Sequence, residues 1–155
     1  MKTFRISAVL VALGLSAAGA MAGQIVDTDI YADDVDNRAT GSNSVALQHV
    51  GTTFGDGRIL DSEIRASNAR NTASGNNSLA HQDIGVATSG GTLRRVYVDA
   101  DNARNRATGN QSEATQEIGK VSNGLIQDTY IYADNANNLA SGFQSRAEQK
   151  VGVVN

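Results

Sequence analysis

NRATGSNSVALQHVG (37–51), NTASGNNSLAHQDIG (71–85), NRATGNQSEATQEIG (105–119) and NLASGFQSRAEQKVG (138–152) superpose without a gap. Asn37, Asn71, Asn105 and Asn138 fall 34, 34 and 33 residues apart. The same spacing relates Gly41, Gly75, Gly109 and Gly142, then Ser44, Ser78, Ser112 and Ser145, then Gln48, Gln82, Gln116 and Gln149. Upstream, Ile25, Ile59, Leu93 and Ile126 open each copy, and Ile30, Ile64, Val98 and Ile131 follow five residues later. The copies therefore run 25–58, 59–92, 93–125 and 126–155, with the one-residue deletion between Gly119 and Ile126. A fixed period of this length is the mark of a repeat architecture.

Within a copy the near-invariant residues have period two: 28, 30, 32, then 35, 37, 39, 41, then 44, 46, 48, 50. Such alternation belongs to strands with one packed face. The residues between vary freely: one such column holds Val45, Leu79, Glu113 and Arg146, and another Leu47, His81, Thr115 and Glu148. A helical solenoid is disfavoured, because Gly41, Ser44 and Gly51 interrupt every copy and glycine costs ~1 kcal/mol in a helix interior.

No copy has enough large apolar residues for its own core, so copies must stack. The sequence predicts an all-β fold, a β-solenoid or stacked β-arches of four rungs with 33–34 residues each. Strands are expected near 26–32, 35–40 and 44–50, followed by an arc over 51–58. The three-residue steps from 32 to 35 and from 41 to 44 mark corners, where Asp33-Asp34, Asp134-Asn135 and Gly41-Ser42-Asn43 accept bent backbone. Stacking at ~4.8 Å turns the small Ala and Ser columns into close wall contacts and the Asn and Gln columns into amide ladders. For Asn37 the alternative is an exposed Asx turn. Glycine substitutions at 41, 75 and 109 are expected to harm folding more than Val45→Thr or Leu79→Thr. The handedness of the coil stays open.

The first 22 residues read as a secretory signal. Lys2 and Arg5 give the basic start, Ala8 to Leu15 the apolar run, and Ala20-Met21-Ala22 the small-x-small cleavage site. The run is too short and too Gly/Ala-rich for a transmembrane helix. The expected product is one β-repeat domain, 23–155, secreted through the periplasm to the cell surface or beyond. Loss of Lys2 and Arg5 takes the net charge from -3 to -5. A weakly acidic exported chain has no basic stripe for nucleic acid. With Cys 0, thiolate metal sites, disulfides and cysteine catalysis are excluded. With Pro 0, strands can form almost anywhere.

The Asn-Ala-Gly-Ser-Ala-Gln pattern resembles curlin-type fibre subunits of bacterial biofilms. The resemblance implies ladder roles for Asn37, Ala39, Ser44 and Gln48 and their equivalents, assembly into extracellular cross-β fibres, and an outer-membrane secretion or nucleation factor as partner. Curlin repeats are shorter and richer in Gly and Gln. NRATGSNSVALQ is also similar to head repeats of trimeric autotransporter adhesins, a family that adds a coiled-coil stalk and membrane anchor not recognised here.

The expected function is a non-enzymatic subunit that self-associates end to end, with neither terminal copy showing a recognisable polar cap. The alternative is a secreted binding module for a surface glycan. Tyr31 and Tyr132 share one column and Tyr97 and Tyr130 the next, either as an adhesive strip or as ordinary strand decoration. No hydrolase, nucleotide or metalloprotease motif appears. No cofactor is expected. Asp27, Asp29, Asp33, Asp34 and Asp36 offer oxygens for a structural Ca²⁺, against the simpler reading of solvated corners. His49 and His81 are read as surface decoration.

Overall fold

The computed structural model describes residues 23–154. The signal-sequence reading of residues 1–22 lies outside them, as does Asn155. The described residues form sixteen strands and no helix. Each rung contributes four strands. The first rung has β1 (Gln24–Val26), β2 (Asp29–Asp33), β3 (Asp36–Thr40) and β4 (Val45–Val50). The second has β5 (Arg58–Leu60), β6 (Glu63–Ser67), β7 (Arg70–Ser74) and β8 (Leu79–Ile84). The third has β9 (Thr92–Arg94), β10 (Tyr97–Asp101), β11 (Arg104–Thr108) and β12 (Glu113–Ile118). The fourth has β13 (Leu125–Gln127), β14 (Tyr130–Asp134), β15 (Asn137–Ser141) and β16 (Arg146–Val151).

Equivalent strands pair in parallel and build four sheets of four strands, so the chain is a β-solenoid of four turns. Register follows the sequence repeat: Asn37 lies against Asn71, Asn71 against Asn105 and Asn105 against Asn138. Gln48, Gln82, Gln116 and Gln149 align in the same way. Parallel pairing satisfies the backbone of each inner rung from both sides.

The expected strand at 26–32 is instead two strands, because the chain turns at Asp27 with φ 49°. Asp61, Arg95 and Asp128 take the same left-handed geometry in their rungs. Asp34, Asn68, Asn102 and Asn135 form a second corner column, and Asn43, Asn77, Gln111 and Gln144 a third. Gly51, Gly85, Gly119 and Gly152 form a fourth, at φ 59–63°. Asp and Asn tolerate this region through local side-chain bonding. The arc after Gly51 is partly ordered, through parallel bridges from Thr53 to Ala87, Val121 and Val154.

Inside, two packing zones divide the rung. One holds Ile, Leu and Val columns, including the fully buried Ile59, Ile64, Ile84, Leu93, Val98 and Ile118. The other is built of alanine, where Ala73 and Ala107 face Ala46, Ala80 and Ala114 across a narrow gap. Burial of a large aliphatic side chain contributes ~1.5–3 kcal/mol. Their terminal-rung equivalents Ile25 and Ile126 stay partly exposed, because each has a neighbouring rung on one side only.

Candidate functional site: ladder columns, two open ends and a histidine cluster

The Asn column is continuous. Each Nδ2 donates to the Oδ1 of the next rung, Asn37 to Asn71, Asn71 to Asn105 and Asn105 to Asn138, all at 2.9 Å. The same amides reach across the alanine gap. Asn71 donates to Ala46 O and His81 O, Asn105 to Ala80 O and Thr115 O, and Asn138 to Ala114 O and Glu148 O. Asn37, for which an exposed turn was the alternative, donates across the gap to Leu47 O at 2.7 Å. Only Asn has the length and the two donors to join the column and the opposite wall at once.

The Gln column runs with opposite polarity. Gln82 donates to Gln48 Oε1, Gln116 to Gln82 Oε1 at 2.6 Å, and Gln149 to Gln116 Oε1 at 2.8 Å. Each Gln also donates to a backbone carbonyl thirteen residues earlier: Val35 for Gln48, Ala69 for Gln82, Ala103 for Gln116 and Ala136 for Gln149. Gln82, Gln116 and Asn71 are fully buried. The serines behave differently. Ser44 and Ser78 are joined Oγ to Oγ at 3.0 Å, whereas Ser78, Ser112 and Ser145 donate to the carbonyls of Gly75 or Gly109 and brace the corner.

The glycine column is not uniform. Gly41, Gly75, Gly109 and Gly142 share φ of 121–128°, outside the left-handed well that other residues occupy. A Cβ on Gly75 would lie 2.0 Å from Gly41 O, and on Gly109 or Gly142 it would lie 2.1 Å from the carbonyl one rung earlier. At Gly41 nothing stands within 4 Å. The steric cost of a side chain in this column is therefore set by rung position, absent at Gly41 and severe at Gly75, Gly109 and Gly142.

Each sheet ends in unpaired edges among the described residues: β1 to β4 at one end and β13 to β16 at the other. The ladders reach these ends with complementary polarity. Among the described residues, Asn37 Oδ1 lacks a ladder donor at the first end, and Asn138 Nδ2, which donates to Ala114 O and Glu148 O, lacks a ladder acceptor at the last; Gln48 Nε2, which donates to Val35 O and Arg70 O, and Gln149 Oε1 are the reverse pair.

On the outer surface, Tyr31, Tyr130 and Tyr132 are exposed and Tyr97 half-buried. The Arg65 guanidinium lies 5.8 Å from the Tyr31 ring centre and 5.6 Å from that of Tyr97, while Tyr97 and Tyr132 rings are 6.2 Å apart. Beside them is a shallow groove of about 340 Å³, lined by Asp29, Asp61, Glu63, Arg95, Tyr97 and Tyr130 among others. Arg95 clamps Asp61 through Nε and, at 2.7 Å, Nη2, which holds the Asp61 carboxyl below its ordinary value.

The acidic residues proposed for Ca²⁺ are dispersed. Asp27 and Asp34 sit at two separate corners, and Asp29, Asp33 and Asp36 are exposed on β2 and β3. Among the described residues, the group of three His, Asp or Glu donors drawn within 4.8 Å of one another is His49, His81 and Asp83. The two histidines read as surface decoration are thus neighbours around one carboxylate. Parallel register puts His49 of β4 directly against Asp83 of β8, and His81 lies two residues away on the same face. His49 Nδ1 is 3.0 Å from Asp83 Oδ2 and His81 Nε2 is 2.9 Å from Asp83 Oδ1.

Asp83 is buried despite its outward place in the alternation, as are the next residue of its column, Glu117, and Lys120, whose Nζ donates to Glu117 at 2.7 Å. The imidazole of His81 is raised above its ordinary value, chiefly by its polar contact with Asp83 and against the effect of burial. Burial pushes the Asp83 carboxyl up most strongly, but the two histidines together hold it below its ordinary value. The missed signal was simple: His49 and Asp83 are 34 residues apart, one repeat. The chain matches no protein-family model, no curated protein and no solved structure.

Proposed function

We propose that the chain is a structural subunit that stacks end to end into extracellular filaments. The observation that carries this reading is the complementarity of the two ends. Among the described residues, strand edges lie unpaired on both, in the same columns, with an amide acceptor facing one way and an amide donor the other. A second copy seated where a fifth rung would lie continues all four sheets. Such a heterologous contact does not close, so it propagates. Open parallel edges are surfaces that a monomer ordinarily protects. Curlin-like assembly is the corresponding mode, and export by the leader suggested by residues 1–22 places the filament outside the cell. No residue of the repeat is assigned a catalytic role.

Electron microscopy and fibre diffraction of concentrated protein test this. Unbranched filaments with a meridional reflection near ~4.7–4.8 Å support it. A monodisperse monomer after prolonged incubation over a range of pH and calcium concentrations overturns it. A second reading, a glycan-binding module, draws on the tyrosine strip beside the Asp61–Arg95 groove, since aromatic faces flanked by paired polar groups suit sugar rings. Loss of glycan binding in Tyr97→Ala and Tyr130→Ala, with the protein monomeric throughout, would favour that reading instead.

A further inference from the structure

We infer that His49, His81 and Asp83 form a binding site for a borderline divalent transition-metal ion of the Zn²⁺ type. Two imidazoles and one carboxylate are the donor set of three-ligand zinc sites that leave a fourth position open. The three side chains share one face of the β4–β8 pair, and their donor atoms lie within 4.8 Å of one another. Tetrahedral ligands on bonds of about 2.0–2.1 Å stand roughly 3.3 Å apart. The contacts of 3.0 Å from His49 Nδ1 and 2.9 Å from His81 Nε2 to the carboxylate oxygens need to open by only a few tenths of an ångström.

Asp83 Oδ1 is fully shielded from solvent, and His81 Nε2 lies 2.9 Å from it, while His49 Nδ1 lies 3.0 Å from the other carboxylate oxygen. Both carboxylate oxygens thus face an imidazole nitrogen, so an ion seated among the three side chains draws all its protein ligands from groups already in contact. Phe54 meets the His49 ring edge-on, with centroids 5.7 Å apart, and limits its rotation. Glu117, next to Asp83 in the column, adds negative charge beside the site, partly balanced by Lys120. The nitrogen ligands select against Ca²⁺, which takes six to eight oxygens.

The repeat also supplies gentle variants. The His81 column carries Thr115 and the His49 column carries Lys150, so His81→Thr and His49→Lys each install a residue that another rung already accommodates. The chain has only 2 His and no Cys, so any imidazole–metal signal from a tag-free protein comes from this pair. Calorimetric titration with ZnCl₂ at neutral pH should saturate at one ion per chain. Each variant should bind at least about tenfold more weakly, the smallest loss that even an outer-shell partner produces. Zn²⁺ should shift the side-chain NMR resonances of both histidines in the wild-type protein, and CaCl₂ should not. Absence of saturable Zn²⁺ binding, wild-type affinity in both variants, or undisturbed histidine resonances would overturn the site. The resonances report on the wild-type protein and decide even if a variant folds poorly.

Discussion

Gly41→Ala separates folding from assembly. All four glycines of its column hold φ of 121–128°, so any alanine there carries a backbone strain of ~1–3 kcal/mol. At Gly75 a steric term adds to it. The new Cβ would sit 2.0 Å from Gly41 O, whereas real Cβ contacts essentially never fall below 3.0 Å, so the rungs must part locally by about 1 Å. That displacement breaks the bonds joining rungs one and two at this corner, Gly41 N to Ser74 O at 2.9 Å and Asn43 N to Asn76 O at 2.8 Å. Two such losses cost about 3 kcal/mol. Gly75→Ala and Gly109→Ala should therefore lower the unfolding free energy by roughly 4–6 kcal/mol, and Gly41→Ala by only the strain, ~1–3 kcal/mol. In the proposed filament, however, Gly41 would face the Gly142 carbonyl of the preceding copy, and an alanine there would meet the 2.0–2.1 Å clash that its equivalents meet internally. A penalty of about 3 kcal/mol at each junction raises the critical concentration for assembly roughly a hundredfold. Chemical denaturation of dilute monomer measures the first quantity, and pelleting across a concentration series measures the second. Gly41→Ala filaments at the wild-type critical concentration would refute in-register stacking. Equal destabilisation of the monomer at 41 and 75 would refute the rung-dependent geometry.

The opposite end has its own probe: a Cβ on Gly152 would find Ile131 no nearer than 3.7 Å, while on Gly51 or Gly119 it would meet an isoleucine of the adjacent rung at 2.6 Å. Gly152→Ala should thus cost the monomer only the left-handed strain of ~1–2 kcal/mol yet weaken assembly, less than Gly41→Ala because a side chain yields more than a carbonyl, and paired melting and pelleting assays check both. Gln82→Ala should cost several kcal/mol, about 2–5, since it leaves Gln48 Oε1 and Gln116 Nε2 without their buried partner, whereas Gln149→Ala at the exposed end should cost under about half as much in the same denaturation assay. In Arg95→Ala the Asp61 carboxyl, now held down by its guanidinium partner, should titrate upward toward its ordinary value. With the clamp present, its stabilising effect is complete above the ordinary carboxylate pKa and is lost as pH falls through the lowered one. Carboxyl-carbon NMR follows this directly, and an unchanged Asp61 titration in the variant would count against the clamp.

The solenoid was legible because a column is a one-dimensional fact: residues 34 apart become neighbours, so invariance within a column reports packing. Period-two alternation found β3 and β4 to within a residue. It failed at Asp27 for an identifiable reason. Inward residues step by three from Ile25 to Thr28, the same signature that revealed the corner between Ala32 and Val35, but the varied column Asp27, Asp61, Arg95, Asp128 did not resemble a turn. A left-handed arginine is uncommon, and here the bidentate bond to Asp61 holds it.

The histidine cluster escaped for the converse reason. Reading each column for sameness discards the outward ones as solvent-facing, yet the cluster sits where neighbouring columns differ: His49 on Asp83 one repeat away, with His81 two residues along the strand. A parallel stack has two neighbour relations, one repeat vertically and two residues laterally, and a site arises where both place unlike donors around one atom. Applied to Asp83, these relations bring two imidazoles to one carboxylate; applied to Asp61, they bring only Arg95, already spent in a closed ion pair. The same geometry that makes inner columns monotonous therefore leaves the outer face free to carry specific chemistry in one rung. That freedom is why Asp83 in rung two meets His49 of rung one and His81 of its own strand, while Glu117, its counterpart in rung three, is answered by Lys120 and Lys150 instead.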